Sequence, residues 1–565
     1  MAVEDHSAPT SFVKKYIFSQ DHKVIGLQYI LTALFMAIVG GWLAVMIRTQ
    51  ITWPEKAMVT PENYLSLVTM HGTIMVFFVV SLALVSGLGN FLVPLMLGAR
   101  DMAYPFLNML SYWTVVPACF LVLVSFVVEG GAAAAGWTAY PPLSALPEAV
   151  PGSGLGQTLW LLAMALFIAS FTMGGLNYIA TVLNCRAKGM SLMRMPLTVW
   201  TYFMSAVLGV LSFPPLTAAA IMLLLDRHGG TSFFLPSGLV FNNEVLAHEG
   251  GTPLLFQHLF WFLGHPEVYV LVLPGIGITF DLIASFARRP VFGYKTSVYA
   301  LWVVGFLSMI VWGHHMYVTG MNPYVGEYFS IATVLITAPF AVLGMNLVAS
   351  VWRSRIRMEV PMYWALGTVA VIGLGGFGGL FLATSISDIY FHDSFFVVGH
   401  FHLMIGVVTV LSTFGALYHW FPKMFGRVMN AGLGKLHFWL TYVPMVALFF
   451  LMHLQGMSGL LRRYYDHSIY EFQAPGRELA LVITILTYAA FAAQAIFFWN
   501  FFYSMFKGTK VGANPWNATT LEWTTPSPAP HGNWPGALPV VDRHPYDYDP
   551  AAEEDSDYKP QGVVA

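Results

Sequence analysis

The sequence predicts an all-α protein, a polytopic membrane bundle of twelve transmembrane helices. Three observations predict it. The 565 residues are 57% hydrophobic and 10% charged, with a mean hydropathy of +0.65, whereas soluble domains carry about 25% charged residues. The apolar residues gather into twelve runs, each near the roughly 20 residues that a span needs. These Leu, Val, Phe and Ala runs lack the alternation of a membrane barrel, so the helix is left as the way to satisfy the backbone in lipid.

In chain order the spans are expected at 25–47, 66–94, 105–128, 158–183, 196–225, 253–286, 292–318, 328–351, 361–383, 395–419, 436–457 and 478–504. They make one domain over 25–507, preceded by a segment 1–24. Its polar start and the long first span do not fit a cleaved signal peptide. The Gly/Ala/Pro-rich stretch 129–157 reads as an outer loop. Residues 508–565, rich in Pro, Asn, Asp and Trp, read as a cytoplasmic tail, extended or docked on a partner. With the distal tail beyond Lys510 left out, eighteen Lys and Arg fall on the side of both termini and six on the other. That asymmetry places both termini in the cytoplasm, in a bacterial-type cytoplasmic membrane. A net charge of −2 without a basic tract gives no reason to expect nucleic acid. Cys119 and Cys185, in separate spans, support neither a disulfide framework nor a thiolate metal site.

Of the 18 histidines, six lie inside spans and in suggestive company. His71 is near the outer start of the second span and His265 near that of the sixth. His314 and His315 end the seventh, and His400 and His402 lie early in the tenth. All six fall at one depth, in the outer part of the membrane, which the span assignment did not force. One such imidazole is ordinarily a satisfied core residue; six on four helices point to metal binding. Imidazole without thiolate suits haem iron, copper or zinc. Two residues apart on a helix point about 200° apart, so His400 and His402 serve different centres and the tenth span is a partition between them. His314 and His315, about 100° apart, need a local distortion to share an ion. His265 precedes Pro266, and a helix starting there leaves its side chain free.

Glu267 faces away from His265, deep in the membrane, where a carboxyl is functional by default. Asp101 lies at the inner end of the third span. Asn90, Asn108, Ser111, Ser170 and Asn177 sit on neighbouring spans and could line a wet route from Asp101 to Glu267; each alone also reads as helix-joining polarity. Tyr269 is one turn beyond His265 on the same face, an interfacial aromatic or, beside a metal, a donor of a proton and an electron.

The stretches "WFLGHPEVYV", "VWGHHMY", "HDSFFVVGHFH" and "GNFLVPLMLGARDMAYPFLN" closely resemble the signatures of haem-copper oxidase subunit I, nearest to the proton-pumping A family of terminal oxidases, over about residues 15–507. The resemblance implies two haems, taken as haem A, and one copper. His71 and His402 would hold the low-spin haem, and His400 the oxygen-binding one. His265, His314 and His315 would hold copper B, with Tyr269 covalently joined to His265. His392 and Asp393 match a magnesium position completed by subunit II. Arg462 and Arg463 match a pair beside the haem propionates; Arg48 is placed at the low-spin haem. The implied function is reduction of O2 to water with electrons from cytochrome c through a copper-bearing subunit II, coupled to proton pumping from Asp101 by way of Glu267.

The chain departs from that family's pattern along a second proton route. Leu343 stands where a lysine is usual, Phe340 where a threonine is, and Phe280 where a serine is, while Thr333 remains. Phe395, Phe396 and Leu403 occupy positions where tyrosine is common. The quinol-oxidising branch carries an Arg, Asp, His and Gln set where this chain has Val39, Leu43, Asn63 and Ser66, which favours cytochrome c over quinol. A nitric oxide reductase of the same superfamily is disfavoured by Tyr269, Asp101 and Glu267. A metal or ion transporter is disfavoured because no inverted repeat is visible.

Overall fold

The computed structural model describes residues 11–246, 248, 250–553 and 556–563. Residues 1–10 of the N-terminal segment, His6 among them, lie outside the described residues. The twelve spans are α1 His22–Thr52, α2 Pro61–Leu97, α3 Pro105–Val124, α4 Leu155–Asn184, α5 Leu197–His228, α6 Pro253–Ala287, α7 Tyr294–Ser308, α8 Pro323–Val351, α9 Val360–Leu382, α10 Phe395–Phe425, α11 Ala431–Met457 and α12 Ala480–Lys507. The protein is thus a polytopic helical bundle. Among the described residues, eleven of these helices are long and apolar enough to cross a membrane; α7, at 15 residues, is the exception.

Helix starts follow from local chemistry. Asp21 caps α1, accepting from the Lys23 amide at 2.9 Å, and Ser394 caps α10 through the Phe396 amide at 3.1 Å. Asn430 caps α11 through the Leu433 amide at 2.9 Å. Pro61 and Pro323 occupy first turns, where a missing N–H is not felt. The core lies around α6, whose most apolar stretch is wholly buried, with α2 nearly as deep.

Three departures from regular helix bear on the site. The seventh span stops at Ser308, and a 3-10 turn over Trp312–Met316 follows, carrying His314 and His315. Gly313 allows it, because a Cβ there would lie 2.2 Å from the Phe329 ring. In α2 the backbone winds wider, as a π-helix, over Ile74–Leu88, and in α10 over His402–Val407; such stretches re-aim side chains at functional positions. The sixth span corrects one expectation. The helix does not start at Pro266; it starts at Pro253 and runs through both Pro266 and Pro274. Pro266 therefore frees the carbonyl one turn back inside a continuous helix, and His265 projects from mid-helix.

The tail packs on its own chain. Thr509–Lys510 pairs antiparallel with Arg427–Val428. Trp523, Trp534, Tyr546 and Tyr548 are buried against the helix ends, Lys423 donates to the Thr525 carbonyl at 2.8 Å, and Arg288 forms a buried ion pair with Asp557. Burying four large aromatics supplies the stability that composition alone did not suggest.

Candidate active site

All six intramembrane histidines singled out from the sequence line one cavity of about 1720 Å³. A single drug-sized ligand occupies a pocket of roughly 300–1,000 Å³, so this space suits more than one large group. On one side of α10, the His71 and His402 rings face each other with centres 6.3 Å apart and planes within 10° of parallel. His71 Nδ1 lies 2.9 Å from the Gly40 carbonyl and His402 Nδ1 2.9 Å from that of Val398. A carbonyl only accepts, so each Nδ1 carries the proton and each Nε2 keeps its lone pair. Two imidazoles bound in line to one metal at about 2 Å each would have centres roughly 6 Å apart. The pair fits a six-coordinate haem iron.

On the other side, His400 Nδ1 lies 3.0 Å from the Gly375 carbonyl, so its Nε2 is likewise left for a metal. Glycines on α9 make the room: a Cβ at Gly379 would fall 3.0 Å from the His400 ring and one at Gly378 would fall 3.2 Å from its Nδ1. The His265, His314 and His315 side chains meet nearby, each offering one nitrogen within 4.8 Å of the others. His265 Nδ1 is 3.3 Å from His315 Nε2, which is 3.1 Å from His314 Nε2. The 3-10 turn provides the distortion that neighbouring histidines needed. Thr333 holds His314 Nδ1 at 3.0 Å, and His315 stacks on Trp261 at 3.8 Å. Three convergent neutral nitrogens without sulfur or carboxylate suit copper or zinc. His265 Nε2, buried and without a hydrogen-bond partner, faces away from that cluster's contacts, and the Tyr269 ring lies 4.7 Å from the His265 ring.

The residues expected along a proton route fall into separate local groups. Ser81, in the wide-turn stretch of α2, donates to Glu267 at 3.3 Å. Asn90, Ser111 and Ser170 line one small cavity of about 10 Å³, room for about one water. Ser111 donates to the Asn108 carbonyl at 2.7 Å. Asn177 brackets Tyr104, accepting from its amide and donating to its carbonyl, both at 3.0 Å. Asp101 sits in the loop between α2 and α3, where burial, aided by the like charge of Asp21, pushes its carboxyl up to about 7.

At the outer end, Asp393 pairs with Arg462 at 2.5 Å, and His392 Nε2 lies 3.9 Å from the other Asp393 oxygen. Burial works against that carboxylate, but Arg462 and His392 outweigh it and hold Asp393 below its usual range. Arg463 lines the cavity beside Gly136. Arg48 lines the cavity too; all three of its guanidinium nitrogens are buried without a hydrogen-bond partner.

Sequence reasoning missed several participants. Tyr29 bridges Ser111 at 3.0 Å and Ser170 at 3.5 Å. Asp388 holds His392 Nδ1 at 3.1 Å. His453, on α11, packs against Gly378 and Gly399 beside His400. An imidazole inside "LMHLQGM" satisfied the same rule that found the other six; Tyr29 carried no signal, since a membrane tyrosine reads as packing.

Comparison with known proteins agrees with this geometry. A family profile described as cytochrome C and quinol oxidase polypeptide I matches residues 24–492. The chain is 46% identical over 551 residues to an alternative cytochrome c oxidase subunit 1 of Bradyrhizobium diazoefficiens, covering 97% of this chain and 93% of that one. It is 38% identical to a cytochrome c oxidase subunit 1 of Thermostichus vulcanus, covering 97% and 95%. A solved haem-copper terminal oxidase dimer shares the fold, with a TM-score of 0.70 at 19% identity over 87% of this chain and 85% of that one. The chain therefore belongs to the cytochrome c and quinol oxidase polypeptide I family, and it is an integral membrane oxidoreductase of the haem-copper type.

Proposed function

We propose that the chain is the catalytic subunit of a respiratory oxidase that reduces O2 to water, taking electrons from cytochrome c through a copper-bearing subunit II and translocating protons. The observation that carries this reading is the division made by α10: His402 faces His71 on one side, and His400 shares the cavity with the histidine triad on the other. In this reading His71 and His402 hold the low-spin haem, His400 the oxygen-binding haem, and His265, His314 and His315 copper B. When bound, these groups supply electron transfer and a paired iron and copper at which oxygen is reduced.

The residues of the chain then have distinct tasks. The backbone carbonyls of Gly40, Val398 and Gly375 fix the imidazole tautomers. Tyr269 holds a proton at its phenol oxygen beside His265. Asp101 takes protons up, Tyr29, Ser111 and Ser170 line their way, and Glu267 holds one against Ser81. Arg462 and Arg463 are placed for haem carboxylates. Arg48 favours haem A over haem O, because its buried N–H groups need an acceptor and a formyl oxygen is one where a methyl is not. His392 and Asp393 present two donors to a magnesium ion completed by subunit II. Both termini lie in the cytoplasm of a bacterial-type membrane. Leu343 and Phe280 are buried and Phe340 packs near the Tyr269 ring, so protons for both halves of the cycle are read as entering at Asp101.

Reduced-minus-oxidised and carbon-monoxide difference spectra of the purified complex, with iron and copper analysis and a cytochrome c oxidation assay, test the proposal. It expects two haems, one of them binding carbon monoxide, copper attributable to this chain, and oxygen-dependent oxidation of cytochrome c. Non-haem iron in place of copper, or oxidation of quinol but not of cytochrome c, would overturn the corresponding part.

A further inference from the structure

We propose that residues 11–18 form an interfacial anchor in the membrane leaflet on the side of the termini, seated by anionic phospholipid headgroups at Lys14 and Lys15. The site described above makes no use of this segment, and the family match begins only at residue 24.

The stretch "SFVKKYIF" sets two lysines among Phe12, Val13, Tyr16, Ile17 and Phe18. It folds into a single wide turn over Val13–Ile17, closed by the Phe18 amide on the Val13 carbonyl at 2.8 Å. The turn is held up against the bundle rather than hanging below it. Gln28, six residues beyond the start of α1 at His22, donates to the carbonyls of Tyr16 at 2.8 Å and Ile17 at 2.9 Å. Trp113, eight residues beyond the start of α3 at Pro105, donates to the same Ile17 carbonyl at 3.0 Å. The Phe18 ring packs on the Trp113 ring, with centres 4.7 Å apart.

These contacts fix a depth. At 1.5 Å per residue Gln28 and Trp113 lie about 9 and 12 Å along their helices, and both side chains lean back toward the helix starts. An amphipathic segment at an interface sits about 5–10 Å into the headgroup–acyl boundary, which is the level at which the turn is held. The hydrogen bonding agrees. The carbonyls that the turn leaves open at its end are taken by side chains, the Ile17 oxygen by two of them, and closure by protein donors is what an apolar surrounding demands.

The outer face of the turn has the matching chemistry. Phe12, Val13, Tyr16 and Phe18 are all exposed, Phe12 to 67%. They adjoin the α3 face on which Phe106 and Leu110, four and three residues apart before Trp113, are exposed as well. Lys14 and Lys15 are exposed, and among the described residues neither forms an ion pair with a carboxylate. Lys15 Nζ stands 5.1 Å over the Tyr16 ring. A lysine lays its carbon stem along apolar surface and carries its ammonium to the headgroups. An anionic headgroup supplies net counter-charge there, whereas a zwitterionic one brings its own ammonium. The alternative is an arm that packs on α3 with its outer face in water.

Chymotryptic cleavage at Phe12, Tyr16 and Phe18 of the whole complex in nanodiscs, read by mass spectrometry, separates the two, since a nanodisc leaves both membrane faces open. Each lysine at an anionic surface is worth about fivefold in binding. Cleavage of the parent is therefore expected to be about 25-fold slower in phosphatidylglycerol than in phosphatidylcholine. The gap should close in about 1 M salt, where screening acts within about 3 Å. Lys14→Gln with Lys15→Gln is expected to be cut equally fast in both lipids, and Lys14→Arg with Lys15→Arg to keep the protection, all with the haem spectra of the parent. Equal cleavage of the parent in the two lipids, or a glutamine pair protected by phosphatidylglycerol as the parent is, overturns the proposal. Loss of protection in the arginine pair also overturns it, because charge is what seats the anchor.

Discussion

The imidazoles of His71 and His402 stand 6.3 Å apart, within 10° of parallel, across a gap that neither ring's Nδ1 can fill. Each Nδ1 is committed to a carbonyl on its own side. Both Nε2 lone pairs are thereby left for a metal held in line between the rings. His402→Ala is expected to remove the low-spin haem spectrum and leave carbon-monoxide binding largely intact, because His400 faces the other way. His400→Ala is expected to do the reverse. Difference spectra of the two variants decide it, and a swap of the two phenotypes would reverse the assignment of the two sides of α10.

Thr333 provides a second test. It is the side-chain partner of His314 Nδ1, at 3.0 Å, so in the proposed site it would orient a ligand without being one. Partners of this kind are worth about 10–100-fold in metal affinity. Thr333→Val, close in volume, is expected to leave both haem spectra unchanged while copper is lost to a chelator at concentrations the parent resists. Copper retention equal to that of the parent would mean that stacking of His315 on Trp261 and the 3-10 turn suffice to fix the cluster.

Much of this site could be read from residue order, and the reasons differ by residue. The partition by His400 and His402 follows from helix period alone, and α10 keeps them on opposite sides. The need for a distortion at His314 and His315 was legible as an angle; its form, a 3-10 turn after a fifteen-residue α7, was not, because hydropathy does not register where a helix stops within an apolar run. Pro266 was misread because a proline after a histidine looks like a helix start, while buried packing around α6 holds the helix through it. The packing of the tail on its own chain was not legible for a similar reason. Its composition resembles a disordered segment, and only tertiary contacts such as Arg288 with Asp557 make it part of the fold.

The raised pKa of Asp101 gives a prediction with a definite sign. Its carboxyl moves from an ordinary 3.8 to about 7, through burial first and Asp21 second. A folded-state pKa above the unfolded one means that the folded protein prefers the proton. The contribution of Asp101 to stability is therefore complete below about pH 4, falls as the pH rises towards 7, and stays lost above it. Asparagine cannot ionise, so Asp101→Asn should match the parent in thermal stability at pH 4, exceed it increasingly up to about pH 7, and hold that advantage at pH 8.5. Turnover should collapse in the same variant. A melting-temperature difference that does not change with pH would show that the carboxyl is hydrated in the folded state.

The docked tail makes the last prediction. Arg288 and Asp557 are 2% and 3% exposed at their side chains, and Arg288 also donates to the Asn517 carbonyl at 2.8 Å and the Trp516 carbonyl at 3.2 Å. Removing one charge from a buried pair costs about 3–5 kcal/mol, since the other has been taken out of water. An exposed pair contributes about 0–1 kcal/mol, and Arg543 with Asp547, 43% and 36% exposed, is such a pair on the same tail. Asp557→Asn should therefore release the tail to limited proteolysis at a temperature where the parent resists, while Arg543→Ala digests as the parent does. Because the tail turn carrying Asn533 closes on His22 and Lys23 beside the Asp101 loop, release should also slow oxygen consumption. Tail cleavage without any change in that rate would separate docking from proton delivery and leave the ion pair a purely structural fastening.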